Sequence, residues 1–440
     1  MFIATDDLSN ELYRFWKRLT SRSYSPTPMW GTFPAQEQML EQARALFRAE
    51  EPKNLQSLVA SKIEDIRRFD LARMERAVAI CHYGRSGSKL LASYLDGHDD
   101  VIMLPMYRGW RIYQFFQRYQ SLSLRDKLIA YPVFSTDFFQ GDFPIAAADY
   151  YAAVNALFDV YGSRSIEFLE SRRAFFQFLH VVYCVALGRR PSSAHPLIVY
   201  AQHSVNDQLA TQFVEDFPQA RFIHTVRDPI TTCGRLFDRW FRDGGRGFSS
   251  VRYVISHLIR ADTPHTGMES RTKAIRFEDM HLHLERTMRA VSDWLGLSYQ
   301  SSLLDSTFNG ATWVVERGTM SWSGSNPMQA IRDIQNTSFT DRSLLFAVLN
   351  EDFVAWNYQC PKGFGHALVR VLTCTLFLLI PMKMEIITAC TLIKIIPSRG
   401  FRYAMNGLIQ IFFCRVGIVL LITGELWRRL ISGKKVLQLL

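Results

Sequence analysis

The chain has 440 residues, a formal net charge of +10 and an aromatic content of 13%. It is long enough for one large α/β domain with additional segments. The tail, residues 361–440, contains eleven basic residues and two acids, whereas the first 360 residues contain 40 basic residues and 39 acids. Since the basic surplus belongs to the tail, it does not indicate that the body binds nucleic acid.

The seven cysteines are scattered, without a CxxC pair and without the Cys/His spacing of a metal site. We therefore expect no metal site and no disulfide framework, and we interpret Cys81 and Cys233 as packing residues. The N-terminus carries early acids and lacks the apolar core of about 7–15 residues that defines a secretory signal. A reduced body that faces the cytosol is expected.

Residues 1–73 are rich in helix formers and charged residues, as in QEQMLEQARALFRAEE and SLVASKIEDIRRFDLARM. Their periodicity predicts two or three amphipathic helices ahead of the core. Four later segments have the composition of buried strands: 77–81, 197–201, 221–226 and 273–277. Helical stretches separate them, and this order is typical of a parallel sheet with crossover helices.

The first strand leads into a glycine-bracketed loop, here called the first loop, which consists of Gly84, Arg85, Ser86, Gly87, Ser88 and Lys89. An apolar helical segment follows at once. Such a turn aims backbone N–H groups at a point before the helix, where the helix dipole favours an anion. Two hydroxyl groups and two cations make the loop suitable for a phosphate. A plain glycine turn is the alternative.

The first loop is not a Walker A motif. The pattern GxxxxGK[ST], begun at Gly84, requires glycine at the position that Lys89 occupies. Downstream of it, residues 106–190 form a long aromatic-rich insert that we predict to be helical. Its aromatic residues either pack over the sheet or line a lid that binds an acceptor.

The segment FPQARFIHTVRDPITTCGRLF, residues 217–237, predicts a helix end, a strand and then Arg-Asp-Pro. The strand places Arg227 at its carboxyl end, where open α/β sheets bind ligands. Pro229 then begins a turn or a helix. A structural ion pair with Asp228 is the alternative role for this arginine, but two cationic strand ends in one sheet favour a ligand with two anionic groups.

At this point the chain resembles the sulfotransferase family that uses 3′-phosphoadenylyl sulfate (PAPS). YGRSGSKLL resembles the family's 5′-phosphosulfate loop, and FPQARFIHTVRDP is similar to its 3′-phosphate strand. KAIRFEDMHLHLERTMRAVSDWLGL, residues 273–297, resembles the segment with Arg-[FY]-Glu-Asp. VERGTMSWSGSN, residues 315–326, resembles the late glycine-containing loop but is one residue shorter. The resemblance covers roughly residues 74–360.

The resemblance implies a P-loop-like α/β domain over 74–360 and assigns roles to residues. The first loop would hold the 5′-phosphosulfate, Arg227 would bind the 3′-phosphate, and Arg317 and Gly318 would close over it. The family usually has serine eight residues after that arginine, whereas this chain has Arg235. Arginine would bind the phosphate bidentately. A decayed site or a different nucleotide is the alternative.

Sulfuryl transfer requires stabilisation of the charge that develops on the leaving phosphate, and Arg85 and Lys89 are placed for this role. Side-chain and backbone donors suffice, so no metal is expected. The acceptor also needs a base to remove its proton. His203, which follows the strand at 197–201, is our candidate base, and a hydrogen-bonded structural histidine is the equal alternative. His98 and the acids from Asp96 to Asp100 are rival candidates.

Three apolar runs occupy the tail: Val371–Met382, Ile386–Ile393 and Ala404–Ile422. Only the last approaches the ~20 residues that span a bilayer, and Arg415 interrupts it. Two spans would place a basic turn outside, against the positive-inside rule. We therefore predict interfacial or re-entrant helices on an anionic cytosolic leaflet. A buried helical hairpin, or one span near 404–427, is the alternative.

The sequence thus predicts a PAPS-dependent sulfotransferase that is membrane-associated, with its catalytic domain facing the cytoplasm. Because the tail would hold the site near a membrane, the preferred acceptor is a hydroxyl or amine of a membrane-linked lipid or glycolipid, followed by a polysaccharide precursor. Two other classes remain open. One is a nucleotide or small-molecule kinase of related fold, and the other is a non-catalytic membrane adaptor that retains the fold.

Overall fold

The computed structural model describes residues 34–49, 54–82, 86–105, 108–109, 111–135, 138–139, 143–164, 166–202, 207–242, 267–317, 320–332, 334–335, 337–377, 380–394, 396–432 and 436–440. Within them, a five-stranded parallel sheet is flanked by helices, and two small antiparallel hairpins follow the sheet in sequence. The α/β fold class that the sequence predicts is confirmed.

The strands are β1 (Ala77–His82), β2 (Val101–Met103), β3 (Leu197–Gln202), β4 (Arg221–Val226), β5 (Thr272–Arg276), β6 (Thr307–Phe308), β7 (Ala311–Thr312), β8 (Val314–Arg317) and β9 (Met320–Ser323). The helices are α1 (Gln36–Ala49), α2 (Leu55–Arg67), α3 (Ser88–Asp96), α4 (Ile112–Arg118), α5 (Leu124–Phe134), α6 (Ala147–Tyr161), α7 (Ile166–Leu169), α8 (Arg172–Ala186), α9 (Asp207–Asp216), α10 (Pro229–Arg242), α11 (Asp279–Leu282), α12 (Leu284–Leu295), α13 (Phe339–Val348), α14 (Asn350–Ala355), α15 (Ala367–Phe377), α16 (Lys383–Lys394), α17 (Ile396–Arg399) and α18 (Phe401–Ser432).

The sheet has the order β2-β3-β1-β4-β5, with β1 at its centre. The chain leaves β1 towards β2, returns through β3 and crosses to β4 and β5 on the other side. The carboxyl end of β1 therefore lies where the winding direction reverses, which is the usual ligand position in such sheets. All four strands predicted from sequence are present, whereas β2 was not predicted.

The central strand β1 contributes side chains to a hydrophobic core on each face of the sheet. Ala79 and Cys81 belong to the core shared with the helical insert, while Val78 and Ile80 belong to the core shared with α3 and α12. Successive side chains of a strand point to opposite faces, so a continuous apolar run requires cover on both sides. Burial also raises the pKa of the Cys81 thiol, consistent with a packing role.

The described residues of the insert at 106–190 form the helices α4–α8, as predicted, and aromatic residues of α4 and α8 pack over the sheet. Phe176 of α8 lies with its ring centroid 5.3 Å from that of Tyr200 on β3, and Tyr113 of α4 lies 5.8 Å from the same tyrosine. The N-terminal helix α1 packs against α5, and α2 packs against α6. The aromatic residues of the insert therefore form much of the larger core.

The tail packs against the α/β domain at both of its ends. On α15, Arg370 donates from Nη2 to Oε2 of Glu351 at 3.0 Å. On α18, Arg429 donates from Nη1 to the same carboxylate oxygen at 3.1 Å. Beyond α18, the chain returns to the sheet edge, where Ala274 of β5 donates to Gln438 and accepts from Leu440. The helices that leave and re-enter the domain thus meet at one glutamate of α14.

Between these ends, α16 and α18 form an antiparallel hairpin. Arg415 of α18 pairs with Glu385 of α16, and Gly407 of α18 lies against Leu392 of α16. A Cβ at position 407 would lie 2.7 Å from Leu392 Cδ1, so glycine permits the close approach. Ala404–Ile431 within α18 is long and apolar enough to cross a membrane by length and composition.

Candidate functional site

The two loops singled out by the sequence lie side by side at the carboxyl edge of the sheet. β1 and β4 are parallel neighbours in which His82 pairs with Thr225. The hydroxyl groups of Ser86 and Thr225 form a buried hydrogen bond of 2.9 Å. The first loop and the strand end that carries Arg227 are therefore joined directly, as expected from the parallel order of the sheet.

Gly87 fixes the position of the first loop at the head of α3. Its φ of +97° is in the left-handed region, and a Cβ there would lie 2.5 Å from Phe277 Cδ2 and 2.9 Å from Met280 Cε. Only glycine satisfies both conditions without strain. The loop consequently rests on the segment after β5, and α3 begins at the next residue, with Lys89 in its first turn.

Arg227 lies at the end of β4, where it packs on Phe277 and hydrogen-bonds Gln329. Its guanidinium carbon lies 4.0 Å from the Phe277 ring centroid, and Nη2 donates to the backbone oxygen of Gln329 at 2.9 Å. Asp228 pairs with Arg332, with a distance of 2.8 Å from Nε to Oδ2. Among the described residues, the ion-pair partner of Asp228 is thus Arg332.

Arg235 lies two turns into α10 and donates a hydrogen bond to the same residue as Arg227. Its Nη1 donates to Oε1 of Gln329 at 3.2 Å. Gln329 belongs to a short 3₁₀ helix, Pro327–Ala330, that follows the β8–β9 hairpin. The departure from the family pattern at position 235 thus adds a second guanidinium beside the first. Nothing in the sequence indicated Gln329 or Phe277 as parts of this cluster.

His281 on α11 borders the same cluster. Its ring centroid lies 4.4 Å from that of Phe277 in an edge arrangement, and its Nδ1 accepts from the backbone N–H of Asn326 at 2.8 Å. Burial and the charges of Arg227 and Arg235 lower the pKa of the imidazole to about 4. The ring is therefore neutral at pH 7.

Glu278 is a buried carboxylate on which the charge of Arg227 acts. Its Oε1 accepts from the backbone N–H of Asp228 at 3.2 Å, and its Oε2 accepts from the hydroxyl of Tyr358 at 2.6 Å. Burial raises the pKa of this carboxyl, while the hydrogen bonds and Arg227 lower it. Glu278, which follows β5, thus connects the end of β5 with the end of β4.

Several residues predicted for the site lie outside the described residues. They are Gly84, Arg85, His203 and Gly318. Arg317 ends β8, but its side chain is not among those that the structure describes. Ser86, Gly87, Ser88, Lys89, Arg227 and Arg235 are described, and they lie on β1–α3 and β4–α10, which are neighbours in the sheet.

Two of the rival candidates for the base, His98 and Asp96, make hydrogen bonds within the domain. His98 is buried, with Nε2 2.8 Å from the oxygen of Ser298 and Nδ1 accepting from the Asp100 N–H. Asp96 pairs with Arg189 at 2.7 Å and also accepts from Thr307. Both side chains are thus held by protein partners.

The fold is that of an α/β protein in which the first loop and Arg227 lie at the switch point of a parallel sheet. The family model "Sulfotransferase family" matches residues 78–301, and the chain belongs to this family. This match includes the first loop, β4 with Arg227, and α12. A search of curated proteins found no match by sequence.

Solved sulfotransferase structures show a more distant likeness. The sulfotransferase domain from the curacin biosynthetic pathway is 14% identical, with 65% of this chain and 99% of that chain covered and a TM-score of 0.38. The sulfotransferase domain of the Synechococcus PCC 7002 olefin synthase is 17% identical over 52% of this chain and 77% of that one, with a TM-score of 0.31. Sulfotransferase STF9 from Mycobacterium avium is 15% identical over 67% and 85%, with a TM-score of 0.29. The assignment to the family depends on the family model alone.

Proposed function

We propose that the protein transfers a sulfuryl group from PAPS to a hydroxyl or amine of an acceptor held at a membrane surface. One observation carries the proposal. Arg227 and Arg235 converge on Gln329 next to the loop at the head of α3. Two separate groups of donors at one sheet edge suit a nucleotide that carries anionic groups at both its 5′ and its 3′ positions.

In this proposal the first loop, residues 84–89, binds the 5′-phosphosulfate through backbone N–H groups and the head of α3. Arg227 and Arg235 bind the 3′-phosphate, and Arg317 and Gly318 close over the nucleotide. Bound PAPS supplies the sulfuryl group. Arg85 and Lys89 stabilise negative charge at the 5′-phosphate. His203 is the base that takes the proton from the hydroxyl or amine of the acceptor.

The direct test is calorimetric binding of adenosine 3′,5′-bisphosphate, adenosine 5′-monophosphate and ATP to the full chain. The full chain is required because Ala274 of β5 pairs with residues 438–440. We expect a strong preference for the bisphosphate. Equal binding of the monophosphate would overturn the proposal, and a preference for Mg-ATP would favour a kinase. Tight bisphosphate binding without turnover of any acceptor would favour a non-catalytic adaptor.

Arg227→Ala is expected to weaken binding of the bisphosphate by about 1.5–3 kcal/mol, or roughly 10- to 150-fold, since a charge-assisted hydrogen bond is lost. Binding of the 5′-monophosphate should change much less. Arg289→Ala is the matched control, because Arg289 lies on the exposed face of α12 and pairs with Glu285. An unchanged bisphosphate affinity in Arg227→Ala would contradict the assignment of the 3′-phosphate.

The α16–α18 hairpin supports a location at a membrane surface. Its exposed apolar side chains include Ile386, Ile393, Phe401 and Phe412, which are 50%, 55%, 67% and 62% exposed. Large apolar side chains in such a group mark an interaction surface. The hairpin also carries basic residues, and the tail has a surplus of nine positive charges. This combination suits an anionic leaflet.

The geometry of the hairpin favours entry into one leaflet. α16 has 12 residues, so this arm is about 18 Å long, shorter than the roughly 30 Å of hydrocarbon in a bilayer. α15 and α18 are both anchored at Glu351, so the chain leaves and re-enters the domain at one place. We therefore propose that the hairpin inserts from the cytoplasmic side and holds the site near lipid-linked or glycolipid acceptors.

Replacing exposed apolar side chains of the hairpin by glutamate should test this location. Phe401→Glu combined with Phe412→Glu is expected to reduce binding to vesicles containing phosphatidylserine by at least tenfold, because each exposed phenyl ring loses its favourable transfer from water. Val314→Glu is the control, since Val314 is 46% exposed but lies on the β8–β9 hairpin. Co-sedimentation with vesicles gives the measurement. Equal binding by both variants would exclude the hairpin as the membrane anchor.

A further inference from the structure

His281 is a buried donor next to the two arginines of the site. It is 5% exposed, and its ring is nearly perpendicular to that of Phe277, with the centroids 4.4 Å apart. Arg227 stacks on the same ring, with its guanidinium carbon 4.0 Å from the centroid. The imidazole and the guanidinium are thus two neighbours of one phenyl ring, at the end of β4 and β5.

The hydrogen bonding of His281 determines which nitrogen carries its proton. Nδ1 accepts from the N–H of Asn326, so it is unprotonated. In a neutral imidazole the proton is then on Nε2, which acts as a donor. Nε2 is buried and has no hydrogen-bond partner among the described residues. A buried donor left unsatisfied costs on the scale of a lost hydrogen bond, so a partner is expected there.

The surroundings of His281 specify the chemistry of that partner. The charges that act on the ring are those of Arg227 and Arg235, and both oppose its protonation. An acceptor with negative charge satisfies the Nε2–H group and the two cations together. The segment 326–329 already places oxygen atoms in this region, because Gln329 accepts from one arginine through its backbone and from the other through its side chain.

We propose that His281 donates from Nε2 to the same anionic group that Arg227 and Arg235 bind. This inference rests on the proposed function, in which that group is the 3′-phosphate of the nucleotide. The three side chains form a three-donor site, and His281 adds a hydrogen bond without adding a third positive charge. When the nucleotide binds, phosphate oxygens replace the two oxygen atoms of Gln329 as acceptors for Arg227 and Arg235.

Two substitutions distinguish the role of Nε2, the proposed donor, from that of Nδ1, which accepts from Asn326. Asparagine at 281 can place its Oδ1 near the position of Nδ1 and retain the bond to Asn326, but it has no group at the position of Nε2. Glutamine can place its Nε2 amide there and restore a donor. His281→Asn and His281→Gln therefore remove and preserve the proposed contact in side chains of the same chemical type.

The experiment is calorimetric titration of the full-length wild type and both variants with adenosine 3′,5′-bisphosphate and adenosine 5′-monophosphate. We expect His281→Asn to bind the bisphosphate about 10- to 100-fold more weakly and the monophosphate within about threefold of wild type. We expect His281→Gln to recover most of the bisphosphate affinity.

The outcomes distinguish the inference from the proposed function. If wild type prefers the bisphosphate and His281→Asn retains that preference, the role of His281 is wrong while the function stands. If both variants lose affinity for both nucleotides equally, His281 is structural, and the inference is again wrong. If wild type shows no preference for the bisphosphate, the proposed function fails and the inference fails with it.

Discussion

Replacing Arg429 by methionine is expected to lower the free energy of unfolding by about 3–5 kcal/mol. The Arg429 side chain is fully buried and contacts Asp352 at 2.6 Å, Glu425 at 2.7 Å and Glu351 at 3.1 Å. Methionine has a similar length but no charge, so buried carboxylates lose their cation. Removing one partner of a buried ion pair costs more than the pair itself contributes, because the remaining charge stays out of water.

Arg428→Met is the matched control for this substitution. Arg428 is the preceding residue and pairs with Glu425 at 2.8 Å, but its side chain is 46% exposed. An exposed ion pair is worth about 1 kcal/mol or less, so this variant should unfold almost as wild type does. Urea unfolding of the full chain in a mild detergent gives both values. Equal losses in the two variants would contradict the buried role of Arg429.

The same measurement shows whether the tail folds together with the domain. Arg370 of α15 and Arg429 of α18 share the carboxylate of Glu351, and the C-terminal residues extend the edge of β5. We therefore expect one cooperative unfolding transition in wild type, observed equally by tail and domain probes. In Arg429→Met, protease cleavage within 400–432 should become faster, because the last turns of α18 lose their attachment.

Gly87→Ala is expected to cost about 2–5 kcal/mol of stability and to abolish most 5′-monophosphate binding. A left-handed φ contributes about 1–2 kcal/mol for a residue with a Cβ. The contacts of that Cβ with Phe277 at 2.5 Å and Met280 at 2.9 Å are too short, and overpacking of this kind costs about 1–3 kcal/mol. To relieve these contacts, the first loop would move away from the segment after β5. Its backbone N–H groups would then no longer point at the ligand.

Gly363→Ala is the control for Gly87→Ala. A Cβ at position 363 would have no atom within 4 Å, so the substitution should leave both stability and nucleotide binding unchanged. Thermal unfolding and calorimetric binding measure the two effects separately. If Gly87→Ala retained wild-type binding of the monophosphate, the first loop would not be the 5′-phosphate site.

The central sheet and the position of its ligand edge follow from local sequence. The run from Ala77 to Cys81 is apolar at every position, which is the pattern of a strand covered on both faces. Glycines at 84 and 87 and the Arg-Asp-Pro at 227–229 then mark where two strands end. Turn residues and apolar runs act over a few neighbouring residues, so they can be interpreted without knowledge of the rest of the chain.

The composition of the proposed anion site was only partly predictable. Arg227 was identified from its place at the end of β4, and Arg235 from the position at which the resembling family has serine. His281, Asn326 and Gln329 gave no indication of their role. The bond between Asn326 and His281 joins residues 45 positions apart, and that between Arg227 and Gln329 joins residues 102 apart. Such contacts depend on how the β8–β9 hairpin and α11 pack, and no local pattern encodes that packing. β2 was missed because three residues are too few for a period to be recognised.

The sequence by itself determined that the tail is helical, apolar and basic, because these are properties of its composition and periodicity. Only the tertiary structure decided that both ends of the tail are held by Glu351 and that the last residues join β5. The contact between Arg429 and Glu351 spans 78 residues. Its partners are selected by complementary charge inside a packed, poorly hydrated interior, and that environment exists only after the domain has folded.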